Sequence, residues 1–283
     1  MATVRAVYRY PVKSMLGESL TGVAVTARGL YGDRVAAVLD ASGAVGSGAV
    51  GSAKHPRKWG PLLTCRATLS DVVTVALPDG TELTLGDPEL NARLSKLLGR
   101  EVFVSDDPAR GGGALERAVP EYEGGLPDVL RDTARTDATG AAITSGRVAP
   151  GTFFDYGRVH LVTTASLARL QSAYPAGDFD ARRFRPNLVV DTPGAPGFPE
   201  DGWLGGQLRV GDALFRVTVP TPRCVVPTLA QAGLPADPGV MRTVAREHRV
   251  PVFDLGRLSC VGVYLDVLEP GTVRRGDEVH LSP

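Results

Sequence analysis

Apolar and polar residues alternate with period two over much of this chain, and three stretches instead carry the 3.6-residue period of a helix. Residues 3–12, TVRAVYRYPV, predict a strand closed by Pro11 and leading into Lys13 and Ser14. Two more strands are predicted across residues 18–45, separated by the turn Arg28–Asp33 and followed by a turn at Asp40–Gly43. The run Val72–Leu85 alternates on both sides of Pro78-Asp79-Gly80 and predicts a hairpin. Residues 88–98 then place Leu90, Leu94, Leu97 and Leu98 at helical spacing. Asp87 is suited to cap that helix, Pro88 to its first position and Gly99 to its end. Arg100–Ser105 returns as a strand.

From 106 to 150 the periodicity fades among Gly, Asp, Ala and Pro, which predicts a long irregular connection. Beyond residue 158 it sharpens again. A strand over 158–164 precedes an amphipathic helix over 165–174, with Thr164 or Ser166 near its N-terminus. Phe184–Asp191 reads as a strand, and Leu208–Pro220 as a hairpin turning at Gly211-Asp212. A helix over 237–248 is entered by Asp237-Pro238, and two closing strands flank Glu269-Pro270-Gly271. Short strands with frequent turns and few helices predict a small barrel or closed sheet, and 34 glycines and 22 prolines agree with that.

Charge narrows the function. Lys plus Arg and Asp plus Glu are 31 each, so no basic field points to nucleic acid or to an anionic membrane. No apolar run approaches the roughly 20 residues of a membrane span. The N-terminus lacks the apolar core and cleavage site of a signal peptide, so the expected compartment is the cytoplasm. Three widely spaced cysteines do not form a disulfide framework or a CxxC zinc site, and the four histidines form no HxxxH pair. Lys54, His55, Arg57 and Lys58, in the glycine-rich stretch 46–60, read as a solvated basic loop.

The candidate chemistry centres on VPTPRCVVPT, residues 219–228. Cys224 lies between prolines, and the adjacent Arg223 would favour its thiolate. Taken alone, this pattern favours an inert buried thiol over a reactive one. Cys65 and Cys260 lie in apolar strands and read as core. In RRFRPN, strand alternation would put Arg183 and Arg185 on one side, with Asn187 on the face of Arg185. Guanidinium forks suit phosphate, and Lys13, Ser14 and Arg34 are further anion contacts in principle. Each also reads as an ordinary surface polar group.

Five motifs in order, YRYPVKS, GLYGDR, RFRPN, PTPRC and EPGTVRRGD, resemble the MOSC family, the molybdenum-cofactor sulfurase C-terminal domains. Within it, the likeness is to the amidoxime-reducing components and their bacterial relatives, and it runs end to end. The resemblance implies a β-rich α+β fold: a MOSC-type closed β-barrel with a smaller inserted N-terminal MOSC-associated domain. The implied layout is residues 1–48 as first barrel strands, 49–110 as the inserted domain, 111–150 as the connection and 151–283 as the main domain. It implies a molybdopterin cofactor (molybdenum with molybdopterin) with Cys224 as metal ligand and catalytic centre. Lys13, Ser14, Arg34, Tyr156, Arg185, Asn187 and Arg223 would contact the cofactor. The implied reaction is two-electron reduction of N-hydroxylated small molecules such as amidoximes and hydroxylamines. The alternative is a non-catalytic molybdopterin-binding or sulfur-carrier module. The sequence has no CxxxxCxxC run, so electrons would come from a separate donor protein, a reductase, a ferredoxin or a cytochrome b5-like protein. One departure is Pro227, where relatives usually carry threonine three residues after the cysteine; Thr228 follows it.

Overall fold

The structure is a computed structural model that describes residues 1–41, 49–119 and 133–282. The turn expected at Asp40–Gly43, the start of the stretch 46–60 and the middle of the 111–150 connection fall partly outside those residues. The chain divides into two compact units. The first comprises Met1–Arg9, Glu18–Asp33 and Gly157–Pro283, and the second Tyr10–Gly17 and Arg34–Tyr156.

Seven strands close the first unit into a barrel. They are β1 (Ala2–Arg9), β2 (Val159–Thr163), β3 (Leu188–Asp191), β4 (Gln207–Val210), β5 (Ala213–Pro222), β6 (Arg257–Glu269) and β7 (Glu278–Ser282). The order around the barrel is β2-β3-β1-β7-β4-β5-β6, and β6 returns to β2. Only the β2–β3 pair among these is parallel. Closure leaves the barrel strands no open edge against each other. It depends on Gly262, in the left-handed region at φ 77°, where an added Cβ would lie 2.1 Å from the Leu161 carbonyl oxygen.

Period-two alternation sends Val4, Val7, Leu208, Val210, Phe215, Val217, Val263 and Leu265 inward, and all are buried. Each fully buried apolar side chain of this size contributes roughly 1.5–3 kcal/mol. A second cluster joins Leu170 of helix Thr164–Ala173 to Val240 and Val244 of helix Gly239–Glu247, with Phe179, Phe184 and Val261. The cap of the first of these helices is Thr163, one residue earlier than expected, and its hydroxyl accepts from the Ser166 N–H.

In the second unit, Arg66–Leu69, Val73–Ala76 and Glu82–Thr84 form the expected hairpin with one further strand. Helix Pro88–Leu98 begins at Asp87, whose carboxylate accepts from the Glu89 N–H at 2.8 Å, and ends at Gly99 in the left-handed region. Ala37–Asp40 pairs with Val102–Ser105. The connection expected to be irregular instead contains a three-stranded sheet. Ala114–Ala118 pairs residue for residue with Ala142–Arg147, and Arg135–Thr136 adds to it. Only Leu115 and Ile143 are large apolar residues buried in that pairing, so the sequence carried almost no alternation there.

The basic stretch 54–58 is also not a solvated loop. Pro56–Trp59 makes a helical turn, and His55 and Trp59 are buried. Lys58 pairs with Asp40 and Glu116 at 3.1 Å each, and His55 pairs with Asp137 at 2.6 Å. The acidic partners lie up to 82 residues away, beyond the reach of local charge counting.

Candidate functional site

In the second unit, the chain end of the first strand delivers Lys13 and Ser14. Lys13 is buried, and its ammonium donates to the Phe153 carbonyl at 2.9 Å and to Asp155 at 2.6 Å. Lys54 reaches the other Asp155 oxygen at 2.9 Å. Burial pulls the Lys13 pKa down to about 8; Asp155 opposes that fall, while Lys54 and Arg34 add to it. Burial likewise works against the Asp155 charge, but Lys13 and Lys54 outweigh it and hold the carboxyl well below its ordinary range. Arg34 lies against two rings, its guanidinium carbon 5.6 Å from the Tyr10 centroid and 5.4 Å from that of Phe154. Ser14 accepts from the Ala53 N–H at 3.0 Å, which leaves its hydroxyl proton available to donate. Two lysines thus share one carboxylate, and Arg34 adds its charge to the surroundings of Lys13, a local surplus of positive charge suited to an anion. Tyr156, implied by the resemblance as a cofactor contact, is exposed; Asp155 beside it is the residue that engages the lysines.

In the first unit, β5 ends at Pro222, and Arg223–Cys224 follow directly. The Arg223 N–H donates to the Ser259 carbonyl at 2.9 Å, which extends the β5–β6 ladder by one bond. Cys224 is a half-buried free thiol, whereas Cys65 and Cys260 are fully buried, their thiols pushed up to about 11 and about 12 chiefly by burial. The Arg223 guanidinium donates through Nη2 to the Phe184 carbonyl at 2.7 Å and lies over the Phe184 ring. Its Nε is buried with no partner, and so is the hydroxyl of Thr221 two residues earlier. Unsatisfied buried donors next to a half-exposed thiol fit a bound group that offers acceptors.

The RRFRPN segment is not an alternating strand. Asp180 accepts from the Arg182 N–H at 2.8 Å and starts a helical turn over Ala181–Phe184, which ends with Arg185 in the left-handed region. Arg183 and Arg185 therefore leave the chain in different directions. Asn187, expected to face the cofactor, is fully buried and bonded at both ends of its amide. Its oxygen accepts from the His160 N–H at 3.0 Å and its nitrogen donates to the Tyr8 carbonyl at 3.3 Å. It clasps barrel strands together.

Among the described residues, five non-glycine residues have positive φ: Ser14, Arg34, Arg185, Ala232 and Phe253. Three of the five are residues the sequence marked as anion contacts. A left-handed non-glycine residue costs about 1 kcal/mol or more, and such strain concentrates at functional positions. Nothing in residue identity marks a serine or arginine for that conformation. Lys54, Asp155 and Thr221 were missed for a related reason, since each joins its group only through tertiary structure.

His55, Glu116 and Asp137 also bring ligand atoms within 4.8 Å of one another. Lys58 and Arg135 already occupy Glu116, and Asp137 receives three donors from Thr139 and Ala141 besides His55, so the group is a salt-bridge cluster.

Comparison with known families matches residues 149–280 to the MOSC domain and residues 1–109 to the MOSC N-terminal beta barrel domain. Among curated proteins, the chain is 25% identical over 304 residues to mitochondrial amidoxime-reducing component 1 of Homo sapiens, across 99% of this chain and 83% of that protein. A shorter likeness, 37% identical over 86 residues, is to the molybdenum cofactor sulfurase of Drosophila grimshawi, across 30% of this chain and 10% of that protein. Among solved structures, the YUAD protein from Bacillus subtilis aligns over 99% of this chain and 94% of its own, at 12% identity and a TM-score of 0.45.

Proposed function

The chain belongs to the MOSC domain family, and from that premise we propose that it is a molybdenum-cofactor-dependent oxidoreductase that reduces N-hydroxylated small molecules with electrons from a separate donor protein. The observation that carries the reading is the left-handed backbone at Ser14, Arg34 and Arg185. Strain of this kind persists only where the surrounding structure holds it, and here it aims polar side chains that suit phosphate. The names of the relatives, an amidoxime-reducing component and a molybdenum cofactor sulfurase, support the same assignment.

The residues fit the cofactor. A half-exposed thiol offers a soft anionic ligand suited to molybdenum, and Cys224 takes that role. The unpaired Arg223 Nε supplies a donor for an acceptor atom of the bound group. Arg185, in the same unit as Cys224, supplies a cation for its anionic part; Lys13, Ser14 and Arg34 form an anion-suited group within their own unit. Asn187 acts one step back, by fixing the strand that follows Arg185. The cofactor, when bound, supplies the two-electron redox change; the protein binds, orients and admits substrate. The overall reaction takes up two electrons and two protons, breaks the N–O bond of the N-hydroxyl group and releases water. Among the described residues no helix is long and apolar enough to cross a membrane.

The test is metal and pterin content of protein made in a cofactor-competent host, with benzamidoxime turnover driven by an artificial reductant. Near-stoichiometric molybdenum that Cys224→Ala loses, together with turnover, is the expected result. Absence of molybdenum from the wild type would overturn cofactor binding. A loaded protein inert toward a broad panel of N-hydroxylated compounds would overturn the reductase and leave the carrier reading.

A further inference from the structure

We propose that Arg183 is a positioning residue whose buried guanidinium sets the direction of the Cys224 thiol; the proposal rests on the reading of Cys224 as the metal ligand. Arg183 is fully buried. Its Nε donates to the Asp178 carbonyl at 2.7 Å, Nη1 to the Pro227 carbonyl at 3.2 Å and Nη2 to the Pro235 carbonyl at 3.0 Å. Two of those carbonyls lie in the segment that begins just after Cys224. The third lies just before the helical turn that carries Arg185.

The tie is reciprocal. Arg183 reaches from the 181–184 turn into the segment after Cys224, and Arg223 reaches back from beside Cys224 to the Phe184 carbonyl at 2.7 Å. The thiol therefore lies on a stretch of chain gripped on both sides. The segment has additional internal ties: Thr228 donates through its hydroxyl to the Val225 carbonyl at 2.7 Å, and the buried Gln231 amide donates to the Val226 carbonyl at 3.1 Å. The departure at Pro227 fits this arrangement. Proline removes an N–H and fixes φ, while its carbonyl remains free to accept from Arg183.

A stability role alone does not call for arginine here. A buried cation carries a desolvation cost that an apolar side chain of equal volume avoids. What a guanidinium adds is a rigid planar fork of donors, and here three of them point at three carbonyls on two segments. The Asp180 carboxylate nearby is paired with Arg182 through both of its oxygens, so Arg183 is held by carbonyls. Sequence reasoning had Arg183 beside Arg185 on one strand face; the helical turn turns it inward instead.

The experiment reads the thiol directly, in cofactor-free protein. Iodoacetamide alkylation of Cys224 is followed by peptide mass analysis at one fixed pH for wild type, Arg183→Lys and Arg183→Gln, alongside melting temperature and, after expression in a cofactor-competent host, molybdenum content. Lysine keeps a cation but cannot reach three carbonyls together. Loss of even one of these bonds should free the segment and raise the Cys224 alkylation rate. Arg183→Lys is expected to give that increase and lowered molybdenum retention while remaining folded. A folded Arg183→Lys with the wild-type alkylation rate and wild-type molybdenum content would overturn the proposal, even if its melting temperature fell. Should Arg183→Gln fail to fold, Arg183→Lys decides alone. If Cys224→Ala keeps its molybdenum, the ligand reading fails, and the alkylation rate still decides whether Arg183 orients the thiol.

Discussion

Replacing Lys13 with methionine should leave the cofactor-free protein about as stable as the wild type, and weaken its grip on anions. The fall of the Lys13 pKa from 10.5 to about 8, driven first by burial, disfavours its charged form in the fold by roughly 3 kcal/mol. Methionine avoids that cost and keeps most of the packing. It gives up the bond to the Phe153 carbonyl, which as a charged hydrogen bond contributes about 1.5–3 kcal/mol. Asp155 keeps Lys54 at 2.9 Å, so no carboxylate is stranded. Asp155 also loses its 2.6 Å bond to Lys13, so the opposing contributions are of similar size and the variant should stay close to the wild type in stability. The pH dependence has a fixed sign. Between pH 8 and 10.5 the unfolded chain holds a proton on Lys13 that the folded chain has lost, so wild-type stability rises with pH across that window. The cost is fully present below pH 8, and the rise should vanish in Lys13→Met. Affinity for inorganic phosphate, the probe, should fall about tenfold in the wild type one pH unit above 8, where about a tenth of Lys13 remains charged, and should start low in the variant. Urea unfolding at several pH values and titration calorimetry with phosphate give both measurements. A variant destabilised by more than about 2 kcal/mol that keeps wild-type phosphate affinity would refute the reasoning, and make Lys13 a structural ion pair.

Arg185→Gly tests a second position: glycine relieves the left-handed backbone at φ 54° but deletes a buried side chain with its contacts, so molybdenum retention should fall, and unchanged retention would remove Arg185 from the site. Asn187→Leu should cost roughly 2–5 kcal/mol in urea unfolding, because it strands the His160 N–H and the Tyr8 carbonyl in the barrel wall; an unchanged midpoint would remove its clasp role. His248 faces the Cys260 carbonyl through Nδ1 at 2.9 Å and the Asp201 carboxylate through Nε2 at 2.7 Å, so both nitrogens must donate and the ring is cationic. Burial opposes that charge, yet Asp201 and the carbonyl raise the pKa above 6.5, so its stabilisation is full below pH 6.5 and is lost as pH rises through the folded value. Asp201→Asn should flatten that dependence, read by unfolding across the pH series.

The barrel was legible because its signal is local. Residues 208–220 alternate cleanly, and the structure forms that hairpin in the expected register, with Val210 opposite Ala213. The helix 88–98 was legible for the same reason, since its cap, first proline and terminal glycine lie within its own sequence. Ala114–Ala118 and Ala142–Arg147 were not, because each strand has one buried large apolar residue and pairs with a segment about thirty residues away. The candidate site divides in the same way. Residue type and motif order marked Lys13, Arg34, Arg185 and Cys224. Asp155 emerges only from its ion pair with Lys13 and Lys54 only from its ion pair with Asp155, and Arg183 changes role because a single cap at Asp180 converts a strand into a turn.

The cost side of the ledger distinguishes a binding site from a merely charged surface. A protein selected for stability alone gains nothing from a buried lysine whose pKa is driven down, or from a buried guanidinium bonded to backbone carbonyls. It gains nothing from an arginine held in the left-handed region. Apolar side chains or glycine would serve each position better in the empty protein. These costs fall on residues that sequence motifs associate with one bound anion and one thiol, and they occur in each unit described by itself. A ligand that binds only the folded chain can offset them, since it stabilises by its own binding free energy. The empty protein should therefore tolerate the very substitutions that abolish loading. Lys13→Met is the cleanest case, because it removes no side chain from a hydrophobic cluster. If it instead lowers the stability of the empty protein, the buried cation belongs to the fold and the case for a bound anion at this residue falls with it.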